Sequence, residues 1–473
     1  MSFDLSLPRK PAALAVLGLA LAGCASVDLE REVAAVNDSQ RAFTQGGLAL
    51  ARGPSAGEQA AAGLLAGPLS MDAAVQLALA RSPALQALVA QHGADLAAAA
   101  QRGRIANPVL GLERVRSGPE LEIGRLLSVG LLDLLTLPQR QALSGQLQAQ
   151  ARVELAGTVV DQVGAVRQAW VRAVAAQQAL AYAAQVQQAA DASAELARRM
   201  QQTGNFTRLE RARQQAFYAD ATTRLAGARH QATATREALV RLLGLDDAQA
   251  ARLRLPDRLP DLPASPRQPG DIAQAAREQR LDWQLARLQL QAAGRAQRLE
   301  LLESLVDAEV GARRDTRFDD ASGERGTARG WELAIRLPVF DWGSARRAQM
   351  DAASLAAAHR YDAVVRGASS QLRESYSAYR TAYELARHWR DEVVPLRKAM
   401  SEENQLRYNG MLIGVFELLA DMREQVTSVI AAIEAQQQFW LADAALSASL
   451  VGRPAQATLA SVPAAAAAAP AGH

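Results

Sequence analysis

The sequence predicts a mainly α-helical fold with a small β portion, in which one structural unit occurs twice. Composition is the first observation: 49% of the residues are hydrophobic but only 4% are aromatic, and alanine, leucine, glutamine and arginine, which favour helices, are abundant. The second observation is a repeat. Arg140 and Arg346 are 206 residues apart, and Gly244 and Gly452 are 208 residues apart. Such an even duplication indicates two copies of one architectural unit.

Composition and charge exclude several classes of protein. The chain has 473 residues, a formal net charge of +3 and a charged fraction of 21%, so no strong basic field indicates a nucleic-acid partner. Cys24 is the single cysteine, which rules out an intrachain disulfide and a cysteine-based zinc site. The sequence contains no nucleophile elbow, phosphate-binding loop or histidine-glutamate zinc motif. We therefore predict no cofactor, no metal site and no enzymatic activity.

The amino terminus has the features of a targeting segment at residues 1–23. Arg9 and Lys10 are followed by an apolar run from Pro11 to Ala22, which is too short to span a bilayer as a helix. The segment resembles the bacterial lipoprotein signal, which implies cleavage before Cys24 and attachment of lipid to its thiol. By the same resemblance, the next residue, Ala25, suits sorting to the outer membrane. The alternative is an ordinary signal peptide followed by a chance cysteine.

The first repeat is predicted to begin with short helices and a strand hairpin. Residues 24–69 are predicted to form an irregular leader, because their apolar residues show no strong periodicity, and the repeat covers residues 70–255. Asn107-Pro108 ends a helical segment. Alternating residues around the turn at Ser117-Gly118-Pro119 then predict a hairpin at about 107–132.

Two very long antiparallel helices follow, at about 139–203 and 206–244. No proline occurs from Gln139 to Leu255, and Thr203-Gly204-Asn205 is the only convincing break. At about 1.5 Å per residue the first helix would be roughly 90 Å long, which no globular domain needs. Apolar residues at helical spacing form a stripe along it: Leu155, Val159, Val163, Val166, Trp170 and Val174.

A proline-rich linker at 256–270 separates the first repeat from the second, which covers residues 271–454. The second strand hairpin is predicted at about 305–340, with a long polar loop from Asp315 to Arg329 between its strands. In the last strand, apolar residues alternate with Glu332, Ala334 and Arg336, so one face would suit lipid and the other water. The apolar positions are Trp331, Leu333, Ile335, Leu337 and Val339.

The second repeat ends with its own pair of long helices, at about 343–408 and 412–450, and we expect a kink at Pro395. Residues 455–473 are rich in alanine and proline and are predicted to be a disordered tail. Trp331 and Trp342 flank the last strand, where they could lie at a lipid interface.

Four strands per chain imply an oligomer. About eight strands are the practical minimum for closing a barrel around a lumen. An open sheet in lipid would leave the N–H and C=O groups of its edge strands without partners, which is costly. Three chains would supply twelve strands and twelve long helices. The sequence therefore predicts long helical hairpins and a four-stranded sheet that several copies of the chain close into a ring, and a hollow tube follows if the helices surround a water-filled core.

Several motifs together carry a resemblance to a known family. They are the lipoprotein signal, the twofold repeat, Leu-Pro-Val-Phe-Asp-Trp-Gly-Ser-Ala-Arg-Arg at 337–347, and Tyr408-Asn409-Gly410 leading to Glu417-Leu418-Leu419. In order and spacing they resemble the TolC-like outer-membrane efflux proteins, over about residues 70–452. Ala106-Asn107-Pro108, before the first strand, looks more like the branch that serves metal-cation exporters than the drug-exporting branch.

The resemblance implies a function as well as a fold. It implies a homotrimer in the outer membrane, extending into the periplasm, in which long helical hairpins form an α-barrel joined to a transmembrane β-barrel built from four strands per chain. The helical tips of such proteins dock onto a periplasmic adaptor protein and an inner-membrane pump, and they conduct substrate outward without catalysis. The resemblance thus implies an outer-membrane factor lipoprotein of a tripartite efflux system. The alternative is a periplasmic coiled-coil structural or adaptor-type lipoprotein without a barrel, and the strands distinguish the two.

The resemblance also implies a periplasmic aperture. Tyr408 and Glu417 match family positions where hydrogen bonds and acidic rings hold the tips closed and favour cations. The alternative for Glu417 is a solvated helix carboxylate. Ile413 and Ala420 depart from the family pattern, because some members have a gating arginine and a second acid there, although Asp421 follows directly.

The two helix tips are predicted to be sharp turns and contact sites for the adaptor. We expect Gly204 and Gly410 to accept positive φ, because a tight reversal between helices favours glycine. Exposed apolar side chains at a tip would be unusual on an isolated monomer. For Phe206 the alternative is packing inside the tip. The tip residues proposed for adaptor contact are Gly204, Asn205, Phe206, Thr207, Arg208, Gly410, Met411, Leu412 and Ile413.

Overall fold

The computed structural model describes residues 28–48, 50, 63–270, 280–303, 307–337 and 339–453. The predicted signal peptide at 1–23 and the lipidation site Cys24 lie outside these ranges. So do residues 271–279, where the second repeat was predicted to begin, and the tail at 455–473.

The described part of the chain is mainly α-helical with a small antiparallel sheet. The helices before the proline-rich linker are α1 (Leu29–Thr44), α2 (Met71–Arg81), α3 (Pro83–Arg102), α4 (Leu131–Leu135), α5 (Leu137–Gln202), α6 (Arg208–Leu243) and α7 (Asp247–Arg252). Those after it are α8 (Leu281–Glu303), α9 (Ser344–His388), α10 (Val394–Asn409) and α11 (Val415–Leu450). The strands are β1 (Val109–Ser117), β2 (Glu120–Gly130), β3 (Asp307–Asp319) and β4 (Arg325–Arg336).

Helix α5 is the longest element and organises the first half. It has 66 residues and is therefore about 100 Å long at about 1.5 Å per residue. Every residue of the predicted apolar stripe on α5 is buried, and Trp170 donates a hydrogen bond from Nε1 to the Leu69 carbonyl over 2.8 Å. Helices α1, α2 and α3 pack against the same helix. The prediction of an irregular leader is therefore wrong for Leu29–Thr44, which form α1 with Asp28 as its N-cap. The main hydrophobic core thus lies along the middle of α5.

Short and long helices meet end to end in both halves. Helix α6 ends at Gly244, which has a φ of +68° and lies against Pro83 at the start of α3. Just beyond α11, Gly452 has a φ of +79° and lies against Asp282 in the first turn of α8. A Cβ atom at either glycine would overlap the neighbouring helix, so glycine permits the close approach.

No single helix within the described ranges is long and apolar enough to cross a membrane. The bent pair formed by α2 and α3 meets that criterion by length and composition alone.

The four strands form one antiparallel sheet in the order β1-β2-β3-β4. The prediction of a long polar loop from Asp315 to Arg329 is wrong. Strand β3 continues to Asp319 and β4 begins at Arg325, so only the residues between them connect the two strands. Both faces of the sheet carry polar residues in this part, so the apolar-polar alternation that identifies a strand is missing. At the other end, β4 stops at Arg336, so Leu337 and Val339 are not part of the strand as predicted.

Helical hydrogen bonding is interrupted where the kink was predicted. A single π-helical turn at Trp389–Val393 separates α9 from α10, and Pro395 is the second residue of α10. Proline cannot donate the usual backbone hydrogen bond and its ring crowds the carbonyl four residues earlier, here that of Asp391. The wider π turn accommodates this crowding.

The linker between the two halves is bound to the helices. Leu262 is buried beside Tyr379, Tyr383 and Phe439. The Tyr383 hydroxyl donates a hydrogen bond to the Pro263 carbonyl over 3.1 Å. Five prolines leave few backbone donors in this segment, and its carbonyls are satisfied by side chains of α9 and α11.

The two helix reversals use different residue types at the same backbone position. In each reversal, a backbone N–H donates a hydrogen bond to the carbonyl oxygen five residues earlier. Asn205 donates to Met200 and Leu412 donates to Arg407, both over 2.8 Å. Gly204 has a φ of +81°. The prediction for Gly410 is wrong, because its φ is −81° and Met411 takes the left-handed conformation with a φ of +59°.

This difference predicts opposite effects of two matched substitutions. Gly204→Ala should destabilise the first tip by about 1 kcal/mol, because an L-residue is strained at positive φ. No atom lies within 4 Å of the added Cβ position, so the cost is conformational. We expect amide hydrogen exchange around residues 196–206 to become about fivefold faster, since exchange follows the local opening free energy. Gly410→Ala is the control and should leave exchange at the second tip unchanged or slower; faster exchange there would contradict the assignment.

Candidate functional site: helix tips and sheet faces

The two helix tips share one construction with an offset of 207 residues. Gly204 and Met411 occupy the left-handed position, and Thr207 and Gly414 are the residues that cap the following helices. Phe206 and Ile413 also correspond, and both are buried. Gly410 therefore corresponds to Thr203 rather than to Gly204. The sequence-based correspondence between Gly204 and Gly410 is therefore wrong by one residue.

Phe206 is not a contact residue on the outer surface. Its side chain is only 7% exposed, and its ring centroid lies 4.8 Å from that of Phe416. The expectation that Phe206 is exposed for adaptor contact is therefore wrong, and the alternative of packing inside the tip holds. Ile413 is 9% exposed and takes the same inward position at the other tip. These two side chains hold the reversals together.

A different set of apolar side chains is exposed at the tips. Met411 is 93% exposed and Leu412 is 74% exposed. Leu209, in the first turn of α6, and Leu406, in the last turn of α10, are also exposed. The sequence-based prediction missed these two leucines, because a leucine near a helix end has the same pattern whether it faces a core or solvent.

The polar candidates at the tips are exposed too. Asn205, Thr207 and Arg208 are open to solvent. Near the first tip, hydrogen bonds from Arg198 and Arg199 lower the pKa of the Glu195 carboxyl to about 2. Glu195 is therefore charged at any physiological pH, and two arginines surround it.

Glu417 and its counterpart in the first half, Glu210, have different environments. The Glu210 carboxylate accepts a hydrogen bond from the Thr207 amide over 2.5 Å, and the Thr207 hydroxyl accepts one from the Glu210 amide over 3.2 Å. This reciprocal pair caps α6. Gly414 has no side chain, and α11 has no such cap. The Glu417 carboxylate is exposed and makes no hydrogen bond or ion pair within the described ranges.

Tyr408, the other predicted aperture residue, is 39% exposed at the end of α10. Within the part of the chain that the structure describes, its hydroxyl has no hydrogen-bond partner, and no bond joins it to Glu417. Asp421 lies one turn beyond Glu417 and is 9% exposed, with one carboxylate oxygen lacking a partner. A single chain thus presents Tyr408 and Glu417 as free polar groups at one tip.

The sheet has one apolar face and one charged face. The cross-strand register assigns each side chain to a face. On the apolar face, near the helices, the side chains are Leu110, Leu112, Leu127, Val129, Val310, Ala312, Trp331, Leu333 and Ile335. The acidic side chains that the structure describes on the four strands all lie on the charged face: Glu113, Glu120, Glu122, Glu309, Asp315, Asp319 and Glu332.

Arg313 connects the carboxylates of the charged face. Its guanidinium lies 2.9 Å from Asp315, 3.5 Å from Glu113 and 3.8 Å from Glu332. Glu113 is two strands away from Arg313. Gly124 lies between Glu113 and Asp315 in the register and has no side chain to separate them. The sequence-based prediction missed this network, because part of it was assigned to a loop.

A second charged cluster lies between α1, α5, α11 and the linker. It lines a cavity of about 360 Å³. Arg267 of the linker lies 2.9 Å from Asp443 of α11, and burial raises the pKa of the Asp443 carboxyl. Burial lowers the pKa of Arg167, which donates a hydrogen bond to the Phe43 carbonyl over 2.7 Å. The cluster ties the leader and the linker to the long helices.

No group of three or more histidine, cysteine, aspartate or glutamate side chains within the described ranges could hold a metal ion.

Comparisons with known proteins give a match in structure and none in sequence. No protein-family model matches the chain. No curated protein matches it either. The Vibrio cholerae outer membrane protein VceC superposes with a TM-score of 0.67 at 16% identity, covering 81% of this chain and 96% of VceC. The Campylobacter jejuni CmeC outer membrane channel superposes with a TM-score of 0.68 at 14% identity, covering 81% of this chain and 85% of CmeC.

A third match is the open state of the Neisseria gonorrhoeae MtrE outer membrane channel. It has a TM-score of 0.62 at 18% identity and covers 81% of this chain and 89% of MtrE. The predicted resemblance to the TolC-like outer-membrane efflux proteins is thereby confirmed in the fold. This chain has the fold of the TolC-like outer-membrane channels.

Proposed function

We propose that this chain is the outer-membrane channel subunit of a tripartite efflux system. It conducts substrate passively from a periplasmic adaptor protein and an inner-membrane pump to the exterior. The observation that carries the proposal is a four-stranded sheet with an apolar face, a charged face and two open edges. The fold shared with channel proteins supports it and favours a role other than catalysis.

The open edges argue for a homotrimer. Strands β1 and β4 each have one edge without a partner strand in the described sheet. In lipid, those backbone groups need partners from another chain. Three copies give twelve strands, which is enough to enclose a lumen. The apolar face would then contact outer-membrane lipid, and the Arg313 network would face the water-filled interior.

The two halves supply equivalent sectors of this tube. Each half contains a strand hairpin followed by a long helix, a tip and a returning helix. We interpret this order as an internal twofold repeat, so that three chains form a ring of six similar hairpins. The repeat has diverged at the tips, where Thr207 and Glu210 form a cap that Gly414 and Glu417 lack.

The tips are the proposed docking surface for the periplasmic adaptor. They lie at the end of α5 that is remote from the sheet, about 100 Å away along the helix. The exposed side chains of Met411, Leu412 and Leu209 would be covered by the partner. Gly204, Asn205, Thr207, Arg208 and Gly410 complete the surface.

The aperture at the tips would contain a ring of three Glu417 carboxylates. Close to the threefold axis, like charges without counterions attract cations from the periplasm. The exposed Tyr408 hydroxyl could bond to a neighbouring subunit when the tips close. Residues 1–23 would be removed as a lipoprotein signal, and acyl chains on Cys24 would anchor the protein in the outer membrane.

Trimer formation is the first test. The mature protein, extracted from outer membranes in mild detergent, should run as a trimer on an unheated gel and as a monomer after boiling. Circular dichroism of the trimer should include a β component. A water-soluble monomer without membrane-embedded structure would instead favour the coiled-coil adaptor-type lipoprotein.

Glu417→Gln should reduce the cation selectivity of the channel reconstituted in planar bilayers. A carboxylate about 4 Å from a cation in water contributes about 1 kcal/mol, so we expect the cation-to-anion permeability ratio to fall by about fivefold. Glu210→Gln is the matched control, because glutamine preserves the cap of α6 and should leave the ratio unchanged. Equal ratios for wild type and Glu417→Gln would show that this carboxylate does not line the aperture.

Cys24→Ala should abolish lipidation. Cells grown with radioactive palmitate should label the wild-type protein and not the variant, because no other cysteine is present. Retention of the label by the variant would refute the proposed anchor.

A further inference from the structure

Four arginines form a row on the apolar face of the sheet. Each strand supplies one of them: Arg114 on β1, Arg125 on β2, Arg314 on β3 and Arg329 on β4. Arg125 lies directly opposite Arg314, and Arg314 directly opposite Arg329. Arg114 is displaced by one side-chain step, because Leu112 is the residue opposite Arg125. We call these residues the arginine row.

The arginine row has a fixed position relative to the apolar residues. Each member lies two residues beyond an apolar side chain in the direction away from the helices: Leu112, Leu127, Ala312 and Trp331. Two residues along a strand return to the same face. On β1 and β4 the charge therefore begins where the apolar band ends, whereas Leu121 and Ile123 on β2 and Phe318 on β3 lie on the same face beyond the row.

The arginine row lacks acidic neighbours on its own face. Every acidic side chain that the structure describes on the four strands lies on the opposite, charged face. Among the described residues, the one side-chain hydrogen-bond partner of Arg125 is the neutral Thr316 hydroxyl, over a long distance of 3.3 Å. Arg114, Arg314 and Arg329 are exposed and make no ion pair in the described part of the chain.

Other arginines of the sheet do have partners. Arg313 and Arg317 pair with carboxylates on the charged face. Beyond the row, Arg116 pairs with Asp320 over 2.5 Å, and Arg325 lies over the Phe318 ring. Like charges directly opposite each other destabilise a sheet. The arginine row is thus a concentrated positive charge that an external anion would neutralise.

We infer that the arginine row binds the phosphate groups of lipid headgroups in the outer leaflet of the outer membrane. The inference rests on the proposed function, in which the apolar face contacts lipid. The row then lies at the end remote from the periplasmic helices, where the hydrocarbon core gives way to headgroups. Trp331, directly below it, is 78% exposed and suits that boundary. Guanidinium groups bind phosphate in a bidentate manner, and a trimer would present twelve of them.

The test compares lipid binding by purified trimers. In the first variant, Arg114, Arg125, Arg314 and Arg329 are all changed to glutamine. In the second, the same four are changed to lysine, which retains the charge but loses bidentate geometry. The control changes four exposed arginines of α6 to glutamine, Arg213, Arg224, Arg229 and Arg241, so that the same net charge is lost far from the sheet.

Each trimer, in neutral detergent, is titrated with lipopolysaccharide and with lipopolysaccharide stripped of its phosphates. We expect the glutamine variant to bind intact lipopolysaccharide at least about tenfold more weakly than wild type, the lysine variant to be intermediate, and the control to match wild type. Wild type should bind the dephosphorylated form as weakly as the glutamine variant binds the intact form.

Three results would overturn the inference. They are equal binding of intact lipopolysaccharide by wild type and the glutamine variant, equal binding of both lipid forms by wild type, and full competition by inorganic phosphate at the same concentration. If the variant with four glutamines does not assemble, two double variants are tested instead. One combines Arg114→Gln with Arg329→Gln, and the other combines Arg125→Gln with Arg314→Gln. Trimer state is read first on unheated gels. A wild-type protein that is not a trimer contradicts the proposed function, whereas a trimer that ignores lipid phosphates contradicts only this inference.

Discussion

The structure depends on one constraint, which is that the backbone groups at the two edges of its sheet need partners. A single chain pairs β1 with β2, β2 with β3 and β3 with β4, and leaves one edge of β1 and one edge of β4 open. The apolar face of this sheet carries a row of arginines, and the opposite face contains the Arg313 network. In lipid the open edges would lack hydrogen-bond partners, and in water an open edge is a site for pairing with another chain. The long helices, the divided faces and the exposed tips all fit a chain that closes its sheet with sister subunits.

Much of the fold could be predicted because the relevant signals are local and periodic. The stripe from Leu155 to Val174 on α5 has helical spacing, and each of its residues is buried. The alternation from Trp331 to Arg336 marks β4 in the same way. The residues Asp315–Arg329 lack this contrast, because beyond Trp331 the apolar face carries arginines and threonines, and Phe318 is its one apolar residue in this range. A strand that is polar on both sides has the sequence of a loop, and only its pairing with neighbouring strands identifies it.

The candidate site was harder to predict, because two repeats can differ by one residue without a visible signal. Gly410 is in the expected motif, yet Met411 adopts the left-handed conformation that Gly204 adopts at the other tip. Phe206 resembles an exposed tip residue in sequence but packs on Phe416. Glu210 and Glu417 align in sequence, and only the capping residue decides that one carboxylate is engaged and the other free. These distinctions depend on backbone geometry and on contacts between the two hairpins.

The most direct test of the central claim is a disulfide between β1 and β4. Within one chain these strands are separated by two others, about 14 Å apart at about 4.8 Å per strand, which is beyond the reach of a disulfide. Leu112→Cys on β1 would be combined in turn with a cysteine at each apolar-face position of β4. One combination should give covalently linked dimers and trimers on a non-reducing gel after boiling. If every combination remains monomeric in the membrane, neighbouring subunits do not complete the sheet and the account is wrong.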